Sequence, residues 1–384
     1  MALDAETRAQ LLDTIRRFVR EQLVPLEHQV AEEDEVPPHI VDQMKELGLF
    51  GLSIPPEYGG LGLTMEEEVL VAFELGHTSP AFRSVAGTNI GIGSQGLIMD
   101  GREEQKDHWL PKLATGEVVA SFCLTEPAAG SDAASVRTTA IKQGDVYVMN
   151  GTKRFITNAD KAGVFTVMAR TDPSNKGAGG ISAFFVPRDT PGVSVGKPEK
   201  KMGQQGAHIC DVIFEDAQVP AECLIGDTEG VGFKTAMKVL DRGRLHISAV
   251  CVGVAERLIG EAVAYAVERE QFGQAIGEFQ LIQAMLADSK TEAYAARCMI
   301  MDAAKRRDAG ENVTTESSCC KYFASEMVGR VADRVVQIFG GAGYVADYGI
   351  ERFYRDVRIF RLYEGTSQIQ QIVIGRNMLR EARG

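Results

Sequence analysis

Near the end of the chain, Tyr363-Glu364-Gly365-Thr366-Ser367-Gln368 sets one carboxylate in a turn of small and hydroxylated residues. The arginine-rich stretch Tyr348 to Leu362 comes before it, yet Glu364 has no evident ion-pair partner in its immediate sequence. If the fold buries that carboxylate, desolvation raises its pKa and it becomes a candidate general base. Gly365 lets the backbone approach a ligand closely, and Thr366, Ser367 and Gln368 add hydroxyls and an amide. The same residues also read as the start of a helix, with Thr366 or Ser367 as its cap and Glu364 solvated beside it.

Other segments could bind a ligand. The loop Cys123-Leu124-Thr125-Glu126-Pro127-Ala128-Ala129-Gly130-Ser131-Asp132 follows a strand pattern directly. Its backbone amides and hydroxyls suit a phosphate or the polar edge of a ring, though a plain turn has the same composition. Arg154-Phe155-Ile156-Thr157-Asn158 offers an aromatic face for a flat cofactor, and a single Phe in a β domain is commonly core. Leu240-Asp241-Arg242-Gly243-Arg244 and Arg269-Glu270-Gln271-Phe272-Gly273 present arginines able to grip phosphate, or to make structural ion pairs. Gly91-Ile92-Gly93-Ser94-Gln95-Gly96 matches a dinucleotide fingerprint formally. It lacks the strand-turn-helix setting that fingerprint requires, so close helix packing is the better reading.

Three regions must position these groups. Residues 1–116 read as helical: Asp4 is a plausible cap, Leu12, Ile15, Val19 and Leu23 recur at helical spacing, and Pro25 ends or kinks that run. A second helix fits Pro38 to Leu47, closed by Gly48. Residues 117–230 carry short β-branched and aromatic runs, namely 118–122, 146–148, 164–167, 183–186 and 212–214, separated by Gly, Pro and Asp. With no long helix between them, they predict an antiparallel β domain. Residues 231–384 predict long bundle helices over Phe233–Arg269, Phe279–Asp308 and Thr315–Phe339. The fold class is therefore α+β: an N-terminal helical domain, a central antiparallel β domain and a C-terminal four-helix bundle.

Composition narrows the function. The chain has 384 residues, 45% hydrophobic, and a net charge of −12, a poor electrostatic match to nucleic acid. Its seven cysteines show no metal-ligand spacing, and Cys319-Cys320 are adjacent; that usage fits a reduced, intracellular protein. The six histidines form no ligand pair. No apolar run is long enough for a membrane span, and the acidic start Met1-Ala2-Leu3-Asp4 fits no signal or transit peptide. A cytoplasmic location is the expectation.

Taken together, CLTEPAAGSD, RFITN, LDRGR, REQFG, QIFGGAG and LYEGTSQIQ resemble the acyl-CoA dehydrogenases in order and approximate spacing, over essentially the whole chain. The resemblance implies an FAD-dependent oxidoreductase acting on a CH–CH bond of an acyl-CoA, in fatty-acid metabolism, with the helix, β, helix architecture above. It implies that Phe122, Leu124, Thr125 and Ser131 contact the isoalloxazine and pyrophosphate. Phe155 and Thr157 lie beside the flavin ring, Phe155 standing where many members have Trp. Arg269, Gln271, Phe272, Gln280, Thr366 and Gln368 contact FAD, while Gln337, Gly340 and Gly341 reach the FAD of a neighbouring subunit, implying an oligomer, usually a tetramer. Ser131, Asp241, Arg244, Gly365 and Arg376, with Tyr363, resemble acyl-CoA contacts.

Glu364 falls at the position of the family's usual base. The alternative base of one branch would stand at Gly243, where this chain has none. The resemblance further implies that the base's backbone N–H and an FAD hydroxyl hold the thioester carbonyl, and that electron-transfer flavoprotein accepts the electrons. An oxidase or flavin monooxygenase of the same fold, and an acyl-CoA-binding helical protein without redox chemistry, are the alternatives. Decarboxylating glutaryl-CoA dehydrogenase is a further relative, but no extra cation for a second carboxylate is clear in the sequence. Gln205 replaces a frequent family arginine, which makes Met202 to His208 a possible departure. The acidic stretch Ala31 to Glu35 reads as a solvated helix end. Residues 88–96 and 244–252 set the acyl pocket's depth.

Overall fold

A computed structural model describes residues 2–383 of the protein. Helix α1 (Ala5–Phe18) starts where Asp4 accepts from the N–H groups of Glu6 and Thr7, satisfying two donors that a helix start leaves unpaired. Pro25 falls in a short 3₁₀ turn, Val24–Leu26, that separates α1 from α2 (Glu27–Glu33). Helix α3 (Pro38–Glu46) stops before Gly48, whose φ of 70° reverses the chain. A capping box of Thr64 and Glu67 opens α4 (Met65–Leu75); α5 (Pro80–Ile90), α6 (Gln95–Asp100) and α7 (Glu103–Ala114) follow. Of the three spaced glycines, Gly91 and Gly93 lie in the turn between α5 and α6, and Gly96 is on α6 itself. A Cβ on Gly93 would lie 2.8 Å from the Ala120 carbonyl oxygen, so close packing accounts for that residue.

The middle region is a seven-stranded sheet: β1 (Ala120–Cys123), β2 (Thr139–Gln143), β3 (Val146–Thr157), β4 (Val164–Arg170), β5 (Ile181–Pro187), β6 (Val193–Val195) and β7 (Ile209–Pro220). The order is β1-β4-β2-β3-β7-β6, with β5 also on β4. Pairs β2/β3, β3/β7, β4/β5 and β6/β7 are antiparallel. The domain is mainly antiparallel, as expected, with two parallel exceptions: β1 runs parallel to β4, and Thr139 of β2 meets Arg170 of β4 in parallel. The β2–β3 hairpin lies between β1 and β4 in the chain and supplies the long connection that parallel neighbours need. Strands β2, solvated over most of its length, and β6, three residues long, carry too little apolar pattern to be read from sequence.

Helix α8 (Gly232–Glu268) spans 37 residues, about 55 Å. A small hairpin of β8 (Glu270–Gln271) and β9 (Gln274–Ala275) leads into α9 (Gln280–Asp308), α10 (Thr314–Phe339), α11 (Gly341–Tyr344), α12 (Ile350–Asp356) and α13 (Ser367–Glu381). Helix α10 packs on α8, α9 and α13, and α4 lies on α8 and α9. From Leu245 to Ala255 α8 is buried on every side, as a helix apolar all round must be. Gly76 and Gly253 bring α4 and α8 into backbone contact, since a Cβ on Gly253 would sit 2.2 Å from the Phe73 carbonyl oxygen. At the end of α9, Asp308 accepts from Met65 N–H and Glu66 N–H, both at 2.8 Å, and so caps α4 from the other helical domain.

Candidate active site

Glu364 and Gly365 both have left-handed backbones, with φ of 53° and 87°. Such a conformation is strained for a non-glycine residue and needs surrounding structure to hold it. The fully buried Gln370 donates its amide to both carbonyls, each at 3.1 Å. Lys321 Nζ donates to the Gly365 carbonyl at 2.6 Å. Thr366 Oγ1 accepts from Ile369 N–H and caps α13, so the helix-start reading is right about the cap. It is wrong about the carboxylate: Glu364 Oε2 is enclosed and has no hydrogen-bond partner. The Glu364 N–H likewise has no acceptor among the described residues.

Gly243 on α8 is what makes room for this carboxylate. A Cβ there would lie 2.7 Å from Glu364 Oε2, closer than real Cβ contacts. The carboxylate fills the space that a side chain at position 243 would otherwise occupy. Desolvation pushes the Glu364 pKa above the usual carboxylate value, against the opposing pull of Arg83, Lys321 and Arg244. Burial lowers the Lys321 ammonium to about 8 and holds the Tyr363 hydroxyl well above its ordinary range.

Arg83 is a residue the sequence reading did not single out. On α5, its Nε donates to His246 Nε2 at 2.9 Å. A guanidinium has no acceptor, so Nε2 carries the lone pair and the imidazole proton lies on Nδ1. Nδ1 then donates to Glu68 Oε1 at 2.9 Å, and Glu68 also pairs with Arg242. Burial and the Arg83 charge lower the His246 pKa and keep the ring neutral. The signal available in sequence was a lone arginine and a lone histidine in two otherwise apolar or small-residue stretches, PAFRSVAG and LHISAVCV. Their proximity was not.

The substrate-side residues fall at different depths. Asp241 pairs with Arg244 and accepts from Thr314 Oγ1, so both contribute to a buried pair beside Glu364. Ser131 and Arg376 are exposed, the latter on α13. The loop 202–208 rests on α12 through Arg355, which donates to the Met202 carbonyl. Asp34 accepts from Gly206 N–H and Glu35 pairs with Lys161, so the acidic stretch holds neighbouring segments and is more than a solvated end.

On the flavin side, the sheet brings several expected residues together. Arg154 N–H donates to the Thr125 carbonyl, and Ser121 Oγ to that of Thr157. Phe122 and Leu124 are buried beneath. At a bulge in β3, Phe155 takes a φ of 59° and stands 56% exposed. A bulge with a left-handed aromatic turns one ring outward, which fits a flat cofactor laid against Thr125 and Thr157. Lys153, wholly buried, pairs with Glu126 at 2.7 Å and donates to the Leu124 carbonyl. Glu126 in turn accepts from Arg137 and Thr138 N–H, pinning the loop.

The remaining cofactor candidates lie elsewhere. Arg269, Gln271, Phe272 and Gln280 surround the exposed β8–β9 hairpin, and Gln337, Gly340 and Gly341 the exposed end of α10. Tyr265 stacks on Phe339, with centroids 4.1 Å apart, so the two groups share one end of the bundle. From Gly243 to Tyr265 along α8 is about 33 Å. One chain does not bring these groups to its own Glu364. Among the described residues there is no metal-ligating group, all seven cysteines are free, and no helix is long and apolar enough to cross a membrane.

The described residues thus hold a strained, enclosed carboxylate just before α13 and an outward aromatic at a bulge of β3, features that suit a general base and a flat cofactor. The chain belongs to the acyl-CoA dehydrogenase family: models for its N-terminal, middle and C-terminal domains match residues 5–117, 121–217 and 230–379. It is an FAD-dependent oxidoreductase of that family. The acryloyl-CoA reductase (NADH) of Anaerotignum propionicum is 43% identical over 367 residues, 95% of this chain and 92% of that protein. The butyryl-CoA dehydrogenase structure from Megasphaera elsdenii has a TM-score of 0.94 at 35% identity, covering 99% of this chain and 100% of that one. A chain described under the electron transferring flavoprotein of Acidaminococcus fermentans has a TM-score of 0.94 at 39% identity, covering 99% and 100%.

Proposed function

We propose that the protein oxidises an acyl-CoA thioester to the trans-2-enoyl-CoA, with Glu364 taking the α-proton. The observation that carries this reading is the unpartnered Oε2 of Glu364, enclosed over Gly243. A thioester α-proton is far too weakly acidic to leave unaided. A desolvated carboxylate with a raised pKa is a stronger base than one in water, and the free Glu364 N–H can donate a hydrogen bond to the enolate oxygen as its charge develops. Phe122, Leu124, Thr125, Ser131, Phe155, Thr157, Thr366 and Gln368 would hold FAD from one chain. Arg269, Gln271, Phe272, Gln280, Gln337, Gly340 and Gly341 would reach it from another, which makes the working form an oligomer, a tetramer in our reading. When bound, FAD supplies a hydride acceptor for Cβ. Tyr363, Asp241, Arg244, Gly365 and Arg376 would line the acyl-CoA path. An electron-transfer flavoprotein is the proposed acceptor and the cytoplasm the proposed location.

The Anaerotignum relative favours a second reading, reduction of an enoyl-CoA. Glu364 would then start protonated and return the proton to Cα, a role its raised pKa also suits. Anaerobic mixing with saturated and unsaturated acyl-CoAs tests both directions by bleaching or recovery of the flavin band. Glu364→Gln should retain FAD and ligand while turnover falls about 100- to 10,000-fold. Near-normal turnover would remove Glu364 from the mechanism, and rapid oxygen consumption would point to an oxidase.

A further inference from the structure

Lys321, on α10, is a buried ammonium without a carboxylate of its own. Its side chain is 1% exposed. Among the described residues Nζ makes no ion pair, and its one hydrogen bond goes to the Gly365 carbonyl at 2.6 Å. That carbonyl already accepts from Gln370 Nε2 at 3.1 Å, so the backbone there is satisfied without a second donor. Burying a charge is unfavourable unless an opposite charge offsets it. The hydrogen bond alone therefore does not account for a lysine at this position.

The groups around Lys321 leave one candidate for that opposite charge. Cys251 faces it from α8, but burial pushes the thiol far up and keeps it neutral. Arg244, also on α8, is a like charge and is paired with Asp241. Glu326, further along α10, pairs with Arg361 and accepts from Ser367 Oγ. Arg83, on α5, bears on Cys251 and Glu364 as a further cation. There remains Glu364, whose buried Oε2 has no partner and whose neighbour in the chain is the glycine that Lys321 holds. Two buried charges of opposite sign thus stand one residue apart, with no ion pair between them. Burial lowers the ammonium only to about 8, so Lys321 is largely charged at neutral pH.

The separation has a chemical consequence. A direct Nζ–Oε bond would favour the ionised carboxylate strongly and take away its basicity. With no nearby cation, desolvation would drive the carboxylate toward its protonated form. A cation held at one remove avoids both. We propose that Lys321 is a positioning residue for the base: through the Gly365 carbonyl it holds the strained turn, and it supplies the counter-charge that keeps Glu364 ionised while leaving Oε2 free. This deepens the dehydrogenase reading and rests on it.

The test follows exchange of the α-hydrogens of butyryl-CoA, isobutyryl-CoA and octanoyl-CoA in D2O, on the anaerobic holoenzyme without an electron acceptor, across a range of pH. The C–H electron pair passes into the enolate and returns to Cα with a deuteron from Glu364, which has exchanged its proton with solvent. In Lys321→Met the acid midpoint of the exchange rate should rise by about one pH unit. That is about a tenfold loss below both midpoints, and it should vanish at higher pH. Lys321→Gln keeps a donor without the charge and should shift alike, whereas Lys321→Arg keeps the charge and should stay near the wild-type midpoint. The flavin spectrum and thermal unfolding of each variant report that it is loaded and folded. An equal loss at every pH, with the midpoint unmoved in both neutral variants, would overturn the proposal; Lys321 would then be a structural prop, and the dehydrogenase reading would stand. A wild-type midpoint in Lys321→Gln beside a shifted one in Lys321→Met would also overturn it, since the bond and not the charge would then matter. If the wild-type protein exchanges no α-hydrogen of any of the three thioesters, the dehydrogenase reading fails and takes this proposal with it.

Discussion

Replacing Gly243 by Ala adds one methyl group directly beneath the Glu364 carboxylate, the proposed base. Ordinary contact begins near 3.4 Å, and the added Cβ would stand 2.7 Å from Glu364 Oε2, so the carboxylate must retreat by about 0.7 Å. A misplacement of about 1 Å costs roughly 100-fold in rate; scaled logarithmically, 0.7 Å predicts a fall in kcat of about 25-fold. Stability should move the other way, because Ala in a helix interior is favoured over Gly by up to about 1 kcal/mol. Gly260, exposed on the same helix with nothing within 4 Å of its would-be Cβ, provides the control. Gly260→Ala should gain similar stability and keep its activity. The assay is steady-state turnover of an acyl-CoA with an artificial acceptor, alongside thermal unfolding of both variants. Unchanged kcat in Gly243→Ala would mean that the working carboxylate does not lie over position 243, and the enclosed-base reasoning would fail.

The raised pKa of Glu364 gives a sign to the pH profile. A base works deprotonated, so kcat/KM should fall as pH drops through a midpoint above the ordinary carboxylate value of 4.5. Arg83→Met removes the strongest cationic pull on that group and should move the midpoint further up; a midpoint at or below 4.5 in the wild type would contradict the desolvation argument. Lys153→Met leaves Glu126 buried without its cation. It should cost about 3–5 kcal/mol in urea unfolding and loosen FAD retention, and a loss under 1 kcal/mol would show that the pair does not hold the loop. At Gly253 an added methyl meets backbone 2.2 Å away, so Gly253→Ala should destabilise by about 1–3 kcal/mol, opposite in sign to Gly260→Ala. Equal Tm shifts for these two variants would refute the close α4–α8 contact.

Much of the fold was legible because its signals are local. Asp4 caps α1, Gly48 stops α3, and the three long C-terminal helices begin and end within a residue or so of their sequence boundaries. Strands β4 and β5 emerge from continuous apolar runs. Strands β2 and β6 do not, since one is largely solvated and the other too short to show a pattern. The parallel β1/β4 pairing was out of reach for a different reason: adjacent strands carry no label of direction in their own residues.

The active site divides along the same line. The type and order of its residues were fixed by the chain: a lone Glu364 before a glycine, a Gly at 243, an aromatic at 155. That Oε2 is enclosed and that position 243 must lack a side chain for the carboxylate to fit depend on two segments far apart in sequence meeting at van der Waals distance. The Arg83–His246 contact joins residues 163 apart, and His246–Glu68 residues 178 apart. Each of these side chains looks ordinary in its own helix. Only packing α4, α5 and α8 together removes the water between them, which sets the tautomer of His246. Burial and long-range contact decide pKa values and unsatisfied donors, and neither is a property of a local sequence window.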